Sequence, residues 1–338
     1  MARTIEYSSY GPARDVLKFV ERPVPKPSAG NVLVRVLASG VNPSDVKKRT
    51  GWGNVAPPVQ PIVPHADGAG IVEAAGPDAD QSWVGKRVWI FNAQGSAGYG
   101  LKGGPESGTA CDYALLPPTC LAPLPDNTPY STGACLGVPA ITAHYAVFSD
   151  GPVNDNIVLV QGGAGAVGEL AVQFAAQAGA KVIATVGSPA KAEIARSAGA
   201  EWCIDRKKED VTAKVLEIAP DGVDRIIEVD FGANAALDAT VLAIGGSVAS
   251  YSSPSDRLPS MPYYELQMRA AIIRLISNVR IPDSEIDKAI AAINEGLTQG
   301  WLTPTIASEF SLDDIASAHE AVENGNAIGQ IVVDLETS

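Results

Sequence analysis

A glycine-rich turn between a predicted strand and a predicted helix lies near the middle of this sequence. The apolar run Ile157–Val160 leads through Gln-Gly into Gly163-Ala-Gly165-Ala-Val-Gly168, and a helical pattern then continues to about Ala178. Glycines at this spacing permit a tight turn, close approach of the backbone to a pyrophosphate and close packing of helix on strand. The pattern therefore predicts a strand–turn–helix unit of an α/β sheet.

The backbone of this turn is the predicted cradle for a dinucleotide. N–H groups at a helix start and the positive end of the helix attract an anion. A glycine turn alone could be purely structural, but its setting between strand and helix favours dinucleotide binding. The residues assigned to the cofactor are Gly163, Gly165, Ala166, Val167 and Gly168, together with Tyr251 at the end of the predicted strand that begins at Gly246.

The residues about twenty positions further on favour NADPH over NADH. An NAD site usually carries Asp or Glu there, which binds the ribose hydroxyls. Here the stretch reads Thr185-Val-Gly-Ser188-Pro-Ala-Lys191, and no acidic residue occurs between Glu169 and Glu193. Ser188, Lys191 and Arg206 are therefore predicted to hold the 2′-phosphate by charge-assisted contacts. The alternative is that both cations are solvated surface residues.

From about residue 130 to residue 282, short apolar strands alternate with helical patterns. The predicted strands include Lys181–Val186, Arg225–Val229, Gly246–Tyr251 and Ala270–Ile276. This alternation is typical of a parallel sheet covered by helices on both faces, so the fold class is α/β with a doubly wound domain. The repeated Ala-Gly-Ala after two of the predicted helices is explained by glycine at a helix end.

The two ends of the chain have a different pattern. Alternating strands such as Val32–Ala38, separated by turn-rich loops, fill the first part, and the tail returns to a strand at Gly329–Leu335 after a predicted helix at Leu312–Glu323. We therefore expect a mostly-β domain at residues 1–128, the nucleotide domain at 129–282, and a connecting helix with a return to the first domain at 283–338.

Charge and size limit the partners and the compartment. The 338 residues carry a net charge of −13, which makes generic binding to nucleic acid or an anionic membrane unfavourable, and the length suggests two domains. The first residues lack the apolar core of a secretory signal, and no uncharged apolar run approaches about 18–20 residues, so neither secretion nor a membrane span is expected. The four cysteines show no close pairing, so a reducing cytoplasm is expected.

Several motifs in order resemble one enzyme family. They are Gly40-Val-Asn42-Pro-Ser-Asp, Ala66-Asp67-Gly-Ala-Gly-Ile-Val-Glu, Gly85-Lys-Arg-Val, Gly137-Val-Pro-Ala-Ile-Thr142-Ala, the glycine turn, and Ala318-His-Glu-Ala before Gly329-Gln-Ile-Val. Together they resemble the zinc-independent, zeta-crystallin-like quinone oxidoreductases of the medium-chain dehydrogenase/reductase superfamily. The resemblance implies a GroES-like catalytic domain from both chain ends, a Rossmann domain between them, a cofactor cleft where the two meet, and a homodimer through edge strands such as Ala270–Ile276.

The resemblance also allows a residue-by-residue test for zinc. Relatives that use catalytic zinc hold it with a Cys and a His-Glu pair, and these positions correspond here to Asn42 and to Ala66-Asp67. An amide and a methyl group do not replace a thiolate and an imidazole. His65 lies one position away and is interpreted as a loop residue, and no metal is expected.

By resemblance, Asn42 lies beside the nicotinamide and the substrate, and Thr142 near the carboxamide. The alternatives are a turn residue before Pro43 for Asn42 and a hydroxyl bonded to its own helix for Thr142. Lys47 stands where the family commonly has a tyrosine. It is either a catalytic cation for an acidic substrate or a developing oxyanion, or a solvated side chain. Residues 92–109, with Tyr99 and Lys102, are expected to reshape the entrance.

The expected activity is hydride transfer from NADPH to a quinone without a metal, because no other catalytic apparatus is visible in the sequence. A 2-alkenal or enone reductase and a non-catalytic NADPH-binding protein are the alternatives, and a zinc alcohol dehydrogenase is a distant third. His144 and His319 are interpreted as packing or surface residues, and Tyr113 as a structural one. Cys111 has no apparent cationic neighbour to activate it and is a candidate for a reactivity test only.

Overall fold

Strands and helices alternate in the middle of the chain, and strands predominate at both ends. The computed structural model describes residues 1–53, 56–94 and 108–336. The strands are β1 Ala2–Glu6, β2 Lys18–Arg22, β3 Val32–Val41, β4 Asp67–Ala75, β5 Arg87–Ile90, β6 Tyr113–Leu116, β7 Leu121–Pro123, β8 Ile157–Val160, β9 Lys181–Val186, β10 Trp202–Asp205, β11 Val223–Glu228, β12 Leu242–Ser250, β13 Ile272–Leu275, β14 Ile306–Ser311 and β15 Gln330–Asp334. The helices are α1 Ala13–Val16, α2 Pro43–Arg49, α3 Tyr130–Gly133, α4 Gly137–Phe148, α5 Ala166–Gln177, α6 Pro189–Ser197, α7 Val211–Ile218, α8 Phe231–Val241, α9 Tyr263–Met268, α10 Asp283–Gln299 and α11 Ile315–Glu323.

The chain divides into two units. The first unit comprises residues Met1–Val138, Ile290–Gly300 and Pro304–Ser338, and the second comprises Pro139–Ala289 and Trp301–Thr303. The chain therefore leaves the first unit and returns to it. The domain boundaries drawn from the sequence, after residues 128 and 282, stay predictions.

The second unit is built on a parallel sheet. Its order is β10-β9-β8-β11-β12-β13, and every neighbouring pair is parallel. The interior residues of β8 and β9 are fully buried because helices cover both faces of such a sheet. The order reverses between β8 and β11, which is where a doubly wound sheet binds its ligand, beyond the carboxyl ends of the strands. The α/β fold class predicted from the sequence is confirmed.

The first unit is organised around β3. This strand pairs antiparallel with β15, β4 and β6, and the described sheet runs β14-β15-β3-β4-β5-β7. Alternate residues Val32, Val34 and Val36 enter a core that the return strand β15 completes with Ile331 and Val333. The tail of the chain therefore belongs to the same sheet as the N-terminal strands, which explains why the first unit needs both chain ends.

Several element boundaries differ from the sequence analysis. The expected strand Ala270–Ile276 is confined to β13, because α9 ends just before it and Ala270 takes a left-handed φ of 49°. Leu312–Asp314 form a 3-10 turn ahead of α11. Glycine ends α5 and α6 as predicted, with Gly179 at φ 84° and Gly199 at φ 111°. No helix in the described ranges has the length and apolarity of a membrane span.

Candidate functional site

The glycine turn lies at the carboxyl end of β8 and begins α5. Gly165 is the N-cap residue, and no side chain caps the first turn of the helix. A Cβ at Gly168 would lie 2.2 Å from the Gly162 carbonyl oxygen, and one at Gly163 would lie 2.6 Å from the Ala184 Cβ. The turn is therefore closely packed on the Gly162 carbonyl and the Ala184 side chain, and Gly165, at the start of a twelve-residue helix, is exposed. The residues fit a dinucleotide pyrophosphate.

Thr185 of β9 holds this turn by accepting two of its backbone hydrogen bonds. Its Oγ1 accepts a hydrogen bond from Gly162 N at 3.0 Å, and its carbonyl oxygen accepts one from Gly163 N at 3.0 Å. Its hydroxyl donates to Gln161 Oε1 at 2.8 Å. Thr185 was not predicted as a site residue, so its role in holding the turn was missed from the sequence.

Gly187 directly follows β9, and two cationic residues that directly follow β10 lie near it. A Cβ at Gly187 would lie 3.8 Å from Arg206 Nη2 and 3.5 Å from Lys207 Cε, so both side chains lie alongside this residue. Arg206 and Lys207 are exposed. Lys207 was missed from the sequence, although it directly follows Arg206 and the cationic run Arg206–Lys208 is visible there.

Ser188 and Lys191 form the start of α6. Ser188 is the N-cap residue, and its Oγ accepts from Lys191 N at 3.3 Å. The first turn of α6 has no acidic residue, and the carboxylate of the nearby Asp205 is occupied by Lys207 N and Lys208. A helix start without a carboxylate, next to two exposed cations, is suited to a phosphate.

Tyr251 and Thr142 lie in the second unit. Tyr251 follows β12, its N–H donates to the Glu228 carbonyl oxygen at 3.1 Å, and burial followed by the Glu228 charge raises the pKa of its phenol. Thr142 is buried on α4, where its Oγ1 accepts from Asn278 Nδ2 at 3.2 Å. Thr142 thus has a side-chain partner from another element.

Asn42 begins α2 in the first unit and is held on two sides. Its backbone N–H donates to Asp45 Oδ2 at 2.8 Å, and its side-chain Nδ2 donates to Asp67 Oδ2 at 2.8 Å. The same Asp67 oxygen accepts from Val138 N at 2.7 Å. Asn42 is 3% exposed and Asp67 is fully buried, so the orientation of the Asn42 amide is fixed by a buried carboxyl group.

Burial raises the pKa of Asp67 to about 8, while the hydrogen bond from Val138 lowers it and the Asp45 charge raises it further. Lys48 is the compensating cation. Its Nζ donates to Gln94 Oε1 at 2.7 Å, and burial lowers the pKa of its ammonium against the opposing effect of Asp45 and Asp67. Asn42, Asp45, Lys48 and Asp67, which we call the Asn42 cluster, therefore form a charged group in which Lys48 is half-buried and the other three residues are buried.

Lys47 lies elsewhere on α2. Its Nζ is 5.2 Å from the centroid of the Trp52 ring, a cation–π distance. The lysine near Asp67 is Lys48, which was not predicted as a site residue from the sequence. A signal for it was present, because Lys48 follows Asp45 by three residues and such pairs share a helix face.

His65 and His319 meet in the interior of the first unit. Their Nε2 atoms are 2.9 Å apart in stacked rings, and His65 Nδ1 lies 2.7 Å from Ser39 Oγ. Burial lowers the pKa of His65 and lowers that of His319 to about 3. His319 is therefore a buried packing residue, and His65 is a loop residue that is also buried. His144 packs against Phe148 and Phe174 in the second unit.

The residues at the zinc-ligand positions do not fit a catalytic zinc. Asn42 supplies an amide N–H that already points at Asp67, Ala66 supplies no donor atom, and both ring nitrogens of His65 are engaged in hydrogen bonds. The described ranges contain no cluster of three or more His, Cys, Asp or Glu side chains arranged for a metal ion.

Part of the predicted site lies outside the described residues. Within the segment 92–109, residues 95–107, including Tyr99 and Lys102, are outside the described ranges. Their expected influence on the substrate entrance stays a prediction.

Comparison with known proteins agrees with this architecture. Residues 28–126 match the alcohol dehydrogenase GroES-like domain, and residues 166–295 match the zinc-binding dehydrogenase family model. The chain is 30% identical over 315 residues to a quinone oxidoreductase of Homo sapiens, covering 92% of this chain and 91% of that protein.

Solved structures give the same result over the whole length. A quinone oxidoreductase of Pseudomonas syringae pv. Tomato DC3000 superposes with a TM-score of 0.83 at 27% identity, covering 99% of this chain and all of that one. A mycobacterial protein in complex with NADPH superposes with a TM-score of 0.83 at 26% identity and the same coverage. The chain is therefore an oxidoreductase and belongs to the zinc-independent quinone oxidoreductase family of the medium-chain dehydrogenase/reductase superfamily.

Proposed function

We propose that this enzyme uses NADPH to reduce a quinone-type acceptor by direct hydride transfer, without a metal ion. The observation that carries the proposal is the arrangement of charges at the carboxyl end of β9. There a helix start without acidic residues lies beside the exposed cations Arg206 and Lys207, next to the glycine turn. A carboxylate at that place would repel a 2′-phosphate, whereas cations and a helix N-terminus attract it.

Different residues of the chain would bind different parts of the coenzyme. The backbone of Gly163–Gly168 would hold the pyrophosphate, and Ser188, Lys191 and Arg206 would hold the 2′-phosphate. Thr142 and Tyr251 complete the proposed set. The NADPH complex of the mycobacterial relative supports the assignment of the coenzyme.

NADPH supplies a hydride, and with one proton from solvent a quinone becomes a hydroquinone. On the protein side, Asn42 is the proposed residue beside the reacting atoms. Because Asp67 fixes its amide, Asn42 has one orientation, which avoids reorganisation during the reaction. At the zinc-ligand positions Asn42 and Ala66 supply neither a thiolate nor an imidazole, and Asp67 Oδ2 already accepts hydrogen bonds from Asn42 Nδ2 and Val138 N, so the proposed reaction is metal-free.

The test is oxidation of NADPH by the purified protein with a panel of quinones and α,β-unsaturated carbonyl compounds. We expect turnover with quinones that exceeds turnover with enones. Preference for enones would replace the proposal by an enone reductase. Tight NADPH binding without turnover on any acceptor would make the protein a non-catalytic binder, and dependence on added or bound zinc would contradict the metal-free reaction.

We also propose that two copies associate through the edge strand β13. Large exposed apolar side chains concentrate around this strand, including Met268 at 77%, Ile272 at 47% and Leu275 at 76% exposure. An unpaired apolar strand edge favours pairing with another chain. We expect Leu275→Lys to yield monomers in analytical ultracentrifugation, whereas Val59→Lys, at an exposed position of the first unit, should leave the dimer intact.

A reducing compartment, the cytoplasm, is the proposed location. All four cysteines, each within the described ranges, are thiols, and burial raises the pKa of Cys111 to about 12 and that of Cys120 to about 11. Such thiols are poor nucleophiles. Fractionation of cells that express the protein would test the location.

A further inference from the structure

Two buried carboxyl groups meet behind the glycine turn. Glu228 ends β11 and Asp238 lies on α8, and both residues are 0% exposed. A hydrogen bond between the two side chains affects both groups, since it raises the pKa of Asp238 and lowers that of Glu228. Two carboxylate oxygens cannot form such a bond unless one of them carries a proton. Neither Glu228 nor Asp238 is among the site residues predicted from the sequence.

The other contacts of the pair do not remove the need for a proton on one of the two carboxyl groups. Glu228 accepts from Asp230 N and from Asn234 Nδ2, the latter at 3.0 Å and 3.2 Å to its two oxygens. Asp238 Oδ1 accepts from Gln161 Nε2 at 3.2 Å, and no donor reaches Asp238 Oδ2 from the described part of the protein. Within those residues, neither carboxyl group forms an ion pair with Lys or Arg. The proton between them is therefore the compensation for burying both.

A directed chain of hydrogen bonds connects the pair to the glycine turn. Gly162 N donates to Thr185 Oγ1 at 3.0 Å, the Thr185 hydroxyl donates to Gln161 Oε1 at 2.8 Å, and Gln161 Nε2 donates to Asp238. Every donor points towards Asp238, so this carboxyl group is the last acceptor in the series of hydrogen bonds. Gly162 itself takes a left-handed φ of 72°, and its N–H is the first that this chain fixes.

We propose that Glu228 and Asp238 are positioning residues of the coenzyme site, which share one proton and through Gln161 and Thr185 hold the glycine turn in the conformation that binds a pyrophosphate. This inference rests on the proposed dinucleotide binding. It concerns the pyrophosphate, which NADPH and NADH have in common, and it is independent of the 2′-phosphate contacts.

Loss of the shared proton would act in two ways. Two adjacent buried charges would repel, so that Asp238 could no longer anchor Gln161, and the added negative charge behind the turn would oppose an anion. Burial raises the pKa of both groups. The Glu228 charge raises the pKa of Asp238 further, whereas the hydrogen bond with Asp238 lowers the pKa of Glu228 and the Asp230 charge raises it. Tyr251, the remaining titratable group facing Glu228, has a raised pKa and stays neutral.

The test is the dissociation constant of NADPH and of NADH between about pH 7 and about pH 10, a range in which buried carboxyl groups can titrate. We expect both constants to rise above a common break, by at most about tenfold per pH unit because one proton is linked. Asp238→Asn supplies a permanent N–H towards Glu228 and should remove the break. Glu228→Gln should do the same from the other side of the pair.

Asp224→Asn is the matched control, because Asp224 is an exposed carboxylate at the other end of β11 and should leave the break in place. Should neither amide variant fold, calorimetry of the native protein in buffers of different ionisation enthalpy must detect proton uptake when NADH binds above the break. A break that persists in Asp238→Asn, or a native protein without one, overturns the inference. Absence of binding to either coenzyme overturns the proposed function instead.

Discussion

Lys47 and Lys48 are neighbours in α2 with different surroundings. Lys48 forms a hydrogen bond with Gln94 in the Asn42 cluster, whereas Lys47 lies over Trp52. A two-turn helix directs consecutive side chains about 100° apart, so adjacent residues face different parts of the molecule. Sequence alone identifies a cation in this segment, but it does not say which of the two lysines faces the carboxylates.

Replacement of these two lysines by methionine separates their roles. Lys48→Met should lower kcat/KM for a quinone by about 10- to 100-fold, because hydrogen bonds to charged groups contribute about 1.5–3 kcal/mol and Asp67 would lose its nearby cation. Lys47→Met should change it less than about threefold. Steady-state kinetics with NADPH measures both variants. A larger loss for Lys47→Met would support the prediction that Lys47 contacts substrate.

Lys191→Asp tests the choice of coenzyme. Placing a carboxylate in the first turn of α6 should weaken NADPH binding by about 100-fold through repulsion of the 2′-phosphate, with about threefold or less change for NADH. Fluorescence titration of both coenzymes measures this. Lys181→Asp, at the opposite end of β9, is the control, and an equal loss for NADPH and NADH in Lys191→Asp would contradict the assignment.

At the scale of elements, the glycine turn makes two separable demands. A Cβ at Gly168 would lie 2.2 Å from the Gly162 carbonyl oxygen, whereas one at Gly165 would lie 3.4 Å from it. Gly168→Ala should therefore destabilise the second unit by about 1–3 kcal/mol, the usual cost of overpacking. Gly165→Ala should retain stability and lose coenzyme affinity, because this glycine allows close approach of the pyrophosphate.

Thermal unfolding and NADPH titration of both variants provide the measurements. Equal stability of the two variants would show that the contact with Gly162 can relax. Retained affinity in Gly165→Ala would mean that the pyrophosphate does not approach this part of the turn.

The elements that sequence could predict are those with local signals. The buried strands β8 and β9, the turn between β8 and α5, and the glycines after α5 and α6 follow from short patterns of apolar residues and glycine. β1, β2 and β14 were missed, because their sequences do not alternate apolar and polar residues regularly. The Glu228–Asp238 contact and the pairing of His65 with His319 are not visible in the sequence, because contacts between side chains of different elements leave no local pattern.

At the scale of the whole molecule, Asp67 makes stability depend on pH. Its folded-state pKa of about 8 lies above the ordinary 3.8, so its contribution to stability is fully present below the ordinary value and is lost as pH rises through about 8. The stability of Asp67→Asn relative to the native protein should increase across this range, by at most about 1.4 kcal/mol per pH unit. Unfolding temperatures at several pH values measure the difference.

Asp80→Asn is a suitable comparison, because Asp80 is an exposed carboxylate of the same unit whose pKa is lowered by Ser82. It should not show a stability gain with rising pH. A constant difference between Asp67→Asn and the native protein would mean that Asp67 is already ionised throughout the range.

The side chains beside Gly187 project from the surface, while the turn before α5 is packed against backbone. The residues of the glycine turn, which would hold the pyrophosphate common to NADPH and NADH, cannot be replaced without disturbing the packing on the sheet. Those that distinguish the phosphorylated form can be exchanged at little cost to folding. Under the proposed function, switching the electron donor is therefore a short evolutionary step for this protein, and an accessible one for engineering.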